Sequence, residues 1–132
     1  MSFFGKEYKF VSQENFEEFV NSLGLTPEQS QGFLNYKPSQ KYEKDGDSFV
    51  YTSSTAGGQT QNKFQSGVEF EESNAGRKCK TVYTVDGDTV TQVQKYEDGT
   101  TFTFVRQFSG DDMTVTVTSS KWDGVARRFY KA

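Results

Sequence analysis

Arg106 shares a run with three phenylalanines, Phe102, Phe104 and Phe108, all at alternate positions of residues 101–108. Alternate side chains of a strand share one face, so one guanidinium is set among three rings. Burying a lone cation costs several kcal/mol unless something pairs it. A solvated arginine on an outward face would avoid that cost, but it would expose three rings in a row, which makes a poor surface. An internal salt bridge is a second reading, and an interior arginine that receives an anion is a third. Arg128 and Tyr130 add a further pair on one face of residues 125–131, while Arg127, Phe129 and Lys131 take the other. Arginine presents a planar fork of donors and tyrosine one hydroxyl donor. Arg106, Arg128 and Tyr130 could therefore converge on a single carboxylate. The spacing alone is unspecific, since two-residue polar pairs are common.

Other chemistries are poorly provided for. The chain has no histidine, which removes the usual metal ligand and the usual general base near neutral pH. Ser-His and Cys-His nucleophile systems are excluded. Carboxylates alone could run a glycosidase, but many of them lie in turns such as Asp45-Gly46-Asp47 and Asp86-Gly87-Asp88. No enzyme activity, metal or cofactor is expected. The net charge of -3 comes from scattered residues without a basic run, so nucleic acid is not an expected partner. Residues 1–7 hold no apolar signal segment, and no stretch approaches the roughly 20 apolar residues of a membrane span. Cys79 is the single cysteine and cannot form an intramolecular disulfide. A cytoplasmic location is expected.

The elements that must position these residues are marked by glycine. After Pro38 it recurs at Gly46, Gly57-Gly58, Gly67, Gly76, Gly87, Gly99, Gly110 and Gly124, with segments rich in Thr, Val, Phe and Tyr between. Such segments read as antiparallel strands joined by tight turns. They cover residues 39–44, 48–55, 59–65, 68–72, 78–85, 89–96, 101–108, 113–118 and 125–131. One more, at 6–11, precedes the helical stretch. Ten strands in 132 residues predict a single domain folded as a closed, all-β, up-and-down barrel. The mean hydropathy of -0.78 is low for a globular chain. Aromatics at 16% and only two prolines argue against disorder and for a barrel with a partly polar interior.

Phe16, Phe19, Val20 and Leu23 fall at helical spacing, and Gly24 ends that helix. Thr26-Pro27-Glu28-Gln29 reads as a second start, with Thr26 as N-cap and Gln29 as its reciprocal partner. Lys37-Pro38 stops it. A helix pair at about residues 15–36 is thus expected over one mouth of the barrel, as a plug, a lid or both. Met113, Val115 and Val117 alternate with Thr114, Thr116 and Thr118 and read as an inward set.

Along its whole length the chain resembles the intracellular fatty acid-binding proteins. The resemblance is carried by Tyr8-Lys9-Phe10-Val11 with Glu14-Asn15-Phe16-Glu17-Glu18-Phe19, and by Ser22-Leu23-Gly24 and Lys37-Pro38. Further along come Gly67-Val68-Glu69-Phe70-Glu71-Glu72, Arg77-Lys78, Gln94-Lys95-Tyr96 and Val105-Arg106, and finally Arg128-Phe129-Tyr130. Each segment is weak, but the ordered set is specific. It implies a ten-stranded barrel of two nearly orthogonal sheets, capped by a helix-turn-helix, with one long-chain fatty acid inside. It implies a monomeric, non-enzymatic carrier that does not insert stably into membranes. By position it implies that Arg106, Arg128 and Tyr130 hold the carboxylate. Phe16, Val20, Tyr51, Ser53, Ala75, Val115 and Val117 would line the cavity or its portal. A retinoic acid carrier of the same fold is the alternative, because that ligand presents the same carboxylate. The chain departs from the family at Arg127, usually small and polar, and at Ser30, often basic. Ala56-Gly57-Gly58 stands where a phenylalanine is frequent, and the turn at 119–124 reads as about two residues longer than usual.

Overall fold

The computed structural model describes residues 3–74 and 77–132. Ten antiparallel strands curl into an up-and-down barrel: β1 (Glu7–Glu14), β2 (Ser39–Asp45), β3 (Ser48–Thr55), β4 (Gly58–Phe64), β5 (Phe70–Asn74), β6 (Arg77–Asp86), β7 (Thr89–Tyr96), β8 (Thr101–Ser109), β9 (Asp112–Ser119) and β10 (Trp122–Lys131). Two helices, α1 (Phe16–Asn21) and α2 (Pro27–Asn35), lie between β1 and β2. The ladder runs β4-β3-β2-β1-β10-β9-β8-β7-β6-β5. Among the described residues it does not close between β4 and β5, so the expected closure by hydrogen bonds is not met at that seam. Side chains span the gap: Phe64 of β4 stacks on Tyr83 of β6 at 4.4 Å, and Phe70 of β5 lies 6.0 Å from the same ring.

β1 forms the corner between the two sheets. Glu7 and Tyr8 pair with β2, and Lys9 to Glu14 pair with β10. A bulge at Val11 bends the strand between them. β1 continues past the expected residue 11 because the polar Ser12-Gln13-Glu14 pairs with β10, whatever its weak intrinsic strand preference.

Among the described residues the turn glycines behave as the spacing predicts where the chain reverses between strands; Gly46 and Gly87, at φ 61° and 58°, adopt the left-handed region that favours glycine, and Gly76 lies outside the described residues. Gly124 does not mark a turn. It lies inside β10, where the Trp122 ring rests against its Cα, and a Cβ there would stand 2.6 Å from Trp122 Cε2. The last strand therefore starts at Trp122 rather than Val125. Trp122 pairs with Ser119 and Ala126 with Val117, so the extra length of this region is taken up as a bulge in β10 and not as a long turn. Similarly β5 begins at Phe70, because Gly67 turns the chain at φ 81° and the Val68 amide donates to the Gln65 carbonyl.

The two ends of the barrel are filled differently. β8 runs from Phe102 to Phe108 between them. At the Phe108 end, Phe3 stacks on Phe108 at 3.8 Å and meets the edge of Tyr42. At the Phe102 end, Phe19 of α1 packs on Phe102 and Trp122. The helix pair therefore covers one mouth and the N-terminal phenylalanine plugs the other. α1 buries Phe16, Phe19 and Val20, and Asn15 ties its start to β10 by donating to the Val125 carbonyl at 3.1 Å. α2 has the anticipated capping box between Thr26 and Gln29 but buries no residue fully, so it lies over the mouth as a cover.

Candidate functional site

The faces of the last three strands follow the period-2 pattern. On β8, Phe102, Arg106 and Phe108 are buried; on β9, Met113, Val115 and Val117; on β10, Ala126, Arg128 and Tyr130. Arg127 points outward and lies 3.8 Å from Glu14. Between the helix pair and the Phe3 plug the barrel holds a cavity of about 350 Å³, walled by β2 to β10 and the helix pair and within the range of small-molecule sites. Phe16, Tyr51, Ser53, Arg106, Val115, Val117, Arg128 and Tyr130 line it. Val20 is fully buried but is not part of that lining, and Ala75 lies outside the described residues.

Arg106 is 5% exposed and its partners are all neutral. Nε donates to Gln40 Oε1 at 3.1 Å and Nη2 to Gln92 Oε1 at 2.9 Å, while Nη1 has no protein partner. The rings of Tyr42, Tyr51, Tyr83 and Phe104 surround the guanidinium at 5.6–5.9 Å. Ring faces attract a cation and stabilise it where water is excluded. Burial works to lower the pKa of Arg106, but the phenolates that Tyr42, Tyr83 and Tyr51 become at high pH outweigh it and the net direction is upward. The group is thus a permanent buried cation with one nitrogen free to donate.

Arg128 is the second cation. Its guanidinium lies 4.8 Å from the Phe10 ring and 4.3 Å from the Phe16 ring. Nη2 donates to the Tyr36 carbonyl at 2.8 Å, and the buried Nε has no protein partner. Burial lowers its pKa, although an arginine stays charged in proteins. Tyr36 follows α2, and its hydroxyl bonds Ser53 Oγ of β3 at 2.7 Å. Arg128 and Ser53 thereby hold the exit of α2 from opposite sides of the mouth. Tyr130 is 3% exposed and meets Phe10 edge to face.

The sequence reading did not identify the polar set that serves these cations. Gln40, Gln92 and Gln94 are each at most 5% exposed, and Glu72 and Asn62 also line the cavity. A usable signal was the strand 89–96, where Gln92 and Gln94 share a face. A buried arginine needs acceptors, and Gln92 lies one register step from it, opposite Phe104. Tyr42 and Tyr83 left no local signal, because the ring cluster is assembled from β2, β3 and β6.

The site thus holds two buried cations, two unpartnered guanidinium nitrogens and an apolar wall, which suits an amphipathic molecule with an anionic head. Among the described residues no group of His, Cys, Asp or Glu could hold a metal ion, and no helix is long and apolar enough to cross a membrane. Residues 5–125 match the profile of the Lipocalin / cytosolic fatty-acid binding protein family. The chain is 50% identical to fatty acid-binding protein 2 of Manduca sexta, with all of both chains covered. The solved structure of the fatty-acid-binding protein isolated from Manduca sexta superposes with a TM-score of 0.92 at 48% identity, covering 99% of this chain and 100% of that one. The Schistosoma mansoni fatty acid binding protein in complex with arachidonic acid gives 0.85 at 29% identity, covering 98% and 94%.

Proposed function

We propose that this chain, which belongs to the Lipocalin / cytosolic fatty-acid binding protein family, carries one long-chain fatty acid in its interior. The observation that carries the reading is Arg106: a buried cation with neutral partners and an unpartnered Nη1, on the wall of a cavity rich in aromatic rings. Arg106, Arg128 and Tyr130 hold the carboxylate. Phe16, Tyr51, Ser53, Val115 and Val117 line the path of the chain, and Val20 belongs to the packing of the helix pair. Burial of the alkyl chain supplies the affinity, at about 0.8 kcal/mol per methylene. A chain of ~16 carbons gains on the order of 10 kcal/mol before the costs of association and ordering. The cations supply orientation and head-group choice, since each gives up water or an existing partner to bind.

The protein acts as a carrier and not as a catalyst, in keeping with a chain that has no histidine. Residues 1–132 work as one lipid-binding domain and as a monomer, because a single chain supplies the cavity. Neither nucleic acid nor stable membrane insertion is part of this function. The family's cytosolic character and the lone Cys79 support a cytoplasmic location.

Extraction of lipid from the purified protein, followed by mass spectrometry, tests the reading. About one long-chain fatty acid per chain is expected. After delipidation, oleate should displace a fluorescent fatty acid more effectively than retinoic acid does. Stronger displacement by retinoic acid assigns the retinoid alternative, and displacement by neither removes the carrier reading. The anchor is tested separately by substitution in the last strand. Arg128→Gln should weaken oleate about tenfold more than oleyl alcohol, since hydrogen bonds to charged groups contribute roughly 1.5–3 kcal/mol. Arg127→Gln, on the outer face, should leave both within about twofold. A silent Arg128 alongside a sensitive Arg127 would assign the anchor to the wrong face of β10.

A further inference from the structure

Glu72 places a carboxylate in the same cavity as Arg106. Its Oε1 accepts from Thr81 Oγ1 at 2.6 Å, Gln94 Nε2 at 3.1 Å and Gln92 Nε2 at 3.2 Å, and Oε2 lies 3.5 Å from Asn62 Nδ2. All four donors are neutral. Gln92 is the link between the two charges, because its Oε1 also accepts from Arg106 Nη2 at 2.9 Å. Its orientation has one solution. A guanidinium only donates and a carboxylate only accepts, so the amide turns its oxygen to Arg106 and its nitrogen to Glu72. The linking amide is 4% exposed, where charges are weakly screened.

We propose that Glu72 is the resident counter-ion of Arg106, acting through Gln92, and that it limits how tightly the cavity takes an anionic head group. This rests on the fatty acid reading for its ligand. The same field that stabilises the cation repels a second carboxylate arriving at Nη1. A carboxylate at Nη1 would stand across both Gln92 and the guanidinium from Glu72, and like charges on the order of 10 Å apart at an effective dielectric constant of about 20 change an equilibrium constant on the order of tenfold. Glu72 is thus a specificity-determining residue: it lowers the advantage of acids over neutral lipids of equal chain length. It also keeps Arg106 oriented when no ligand is present.

Glu72→Gln separates charge from scaffold, since the new side chain keeps an oxygen acceptor for Thr81, Gln92 and Gln94. In delipidated full-length protein, Glu72→Gln should bind oleate about tenfold more tightly than the wild type does, with oleyl alcohol changed less than twofold. A merely structural role would move acid and alcohol together, and that result, or weaker oleate binding, overturns the proposal. A second measurement needs no ligand. In urea unfolding of delipidated protein, Arg106→Gln should cost less in the Glu72→Gln background than in the wild type, because removing both charges leaves neither uncompensated. Strict additivity of the two substitutions overturns the proposal. Should Glu72→Gln alone fail to fold, the double variant is expected to fold, and failure of both makes Glu72 structural and overturns the counter-ion role. If the wild type binds neither oleate nor its alcohol, the carrier reading falls while the unfolding cycle still decides the role of Glu72.

Discussion

Arg106→Gln is expected to weaken oleate binding by about thirtyfold or more, while oleyl alcohol stays within a few-fold of the wild type. The guanidinium has two neutral acceptors and one unpartnered nitrogen, so a carboxylate at Nη1 gains a charge-assisted hydrogen bond without displacing Gln40 or Gln92. Such bonds contribute roughly 1.5–3 kcal/mol, and about 2 kcal/mol corresponds to a thirtyfold change in affinity. The surrounding rings keep out water that would otherwise screen the charge. Glutamine offers no charge, and it leaves the Gln40 and Gln92 carbonyls facing a site they no longer favour for an anion. Paired titrations of acid and alcohol decide the matter, together with thermal melts in which added oleate should protect the wild type more than the variant. An equal loss for both ligands would mean that Arg106 shapes the cavity without reading the head group.

The inward set on β8 and β9 could be read from sequence because each strand has one clearly apolar parity, and a period of two then places Arg106. β10 is less clear, since Val125 and Phe129 share a parity with Arg127 and Lys131, and the inward reading of Arg128 rests on those two cations facing water and on the family resemblance. β7 could not be read that way. Val90 and Tyr96 share a parity with Gln92 and Gln94, and only Val93 is apolar on the other, so the more apolar face carries two amides at its centre and neither face is clearly apolar. The structure buries both glutamines because Arg106 and Glu72 need neutral partners where water is excluded, a requirement that lies on other strands. The capping box at Thr26 was visible because it is local, four residues that satisfy one another. Gly124 misled for the opposite reason. An Asp-Gly pair such as Asp123-Gly124 looks like a turn, but here the missing Cβ makes room for the Trp122 ring, and that contact depends on where β10 lies against β9. The tyrosines around Arg106 come from residues 42, 51 and 83. Only the curl of the sheet brings them together.

That tyrosine cluster should make the fold sensitive to alkali, with stability falling steeply between about pH 10 and 12. Burial raises Tyr42 and Tyr83 well above the usual phenol value and pushes Tyr51 up to about 12. Arg106 pulls all three the other way, since a guanidinium favours a neighbouring phenolate, but burial outweighs it. In the unfolded chain a phenol loses its proton near pH 10. Above that pH the folded state binds more protons than the unfolded one, so stability falls as pH rises. The contribution is complete below about pH 10 and is lost as pH climbs through the folded values. For Tyr51 alone the loss by about pH 12 is on the order of 2–3 kcal/mol, and Tyr42 and Tyr83 add to it in the same direction. Against a typical stability of about 5–15 kcal/mol, three such groups are enough to unfold the barrel. Phenolate absorbance and far-ultraviolet circular dichroism, followed together through an alkaline titration, should show part of the phenolate signal appearing only as the strand signal is lost. Tyr83→Phe should move the unfolding midpoint to higher pH. It removes one ionisable group, keeps the ring that stacks on Phe64, and gives up no hydrogen bond made by the hydroxyl among the described residues. Complete phenolate formation with the strand signal intact would show that these rings are reached by water, and the dry surroundings assigned to Arg106 would have to be abandoned with them.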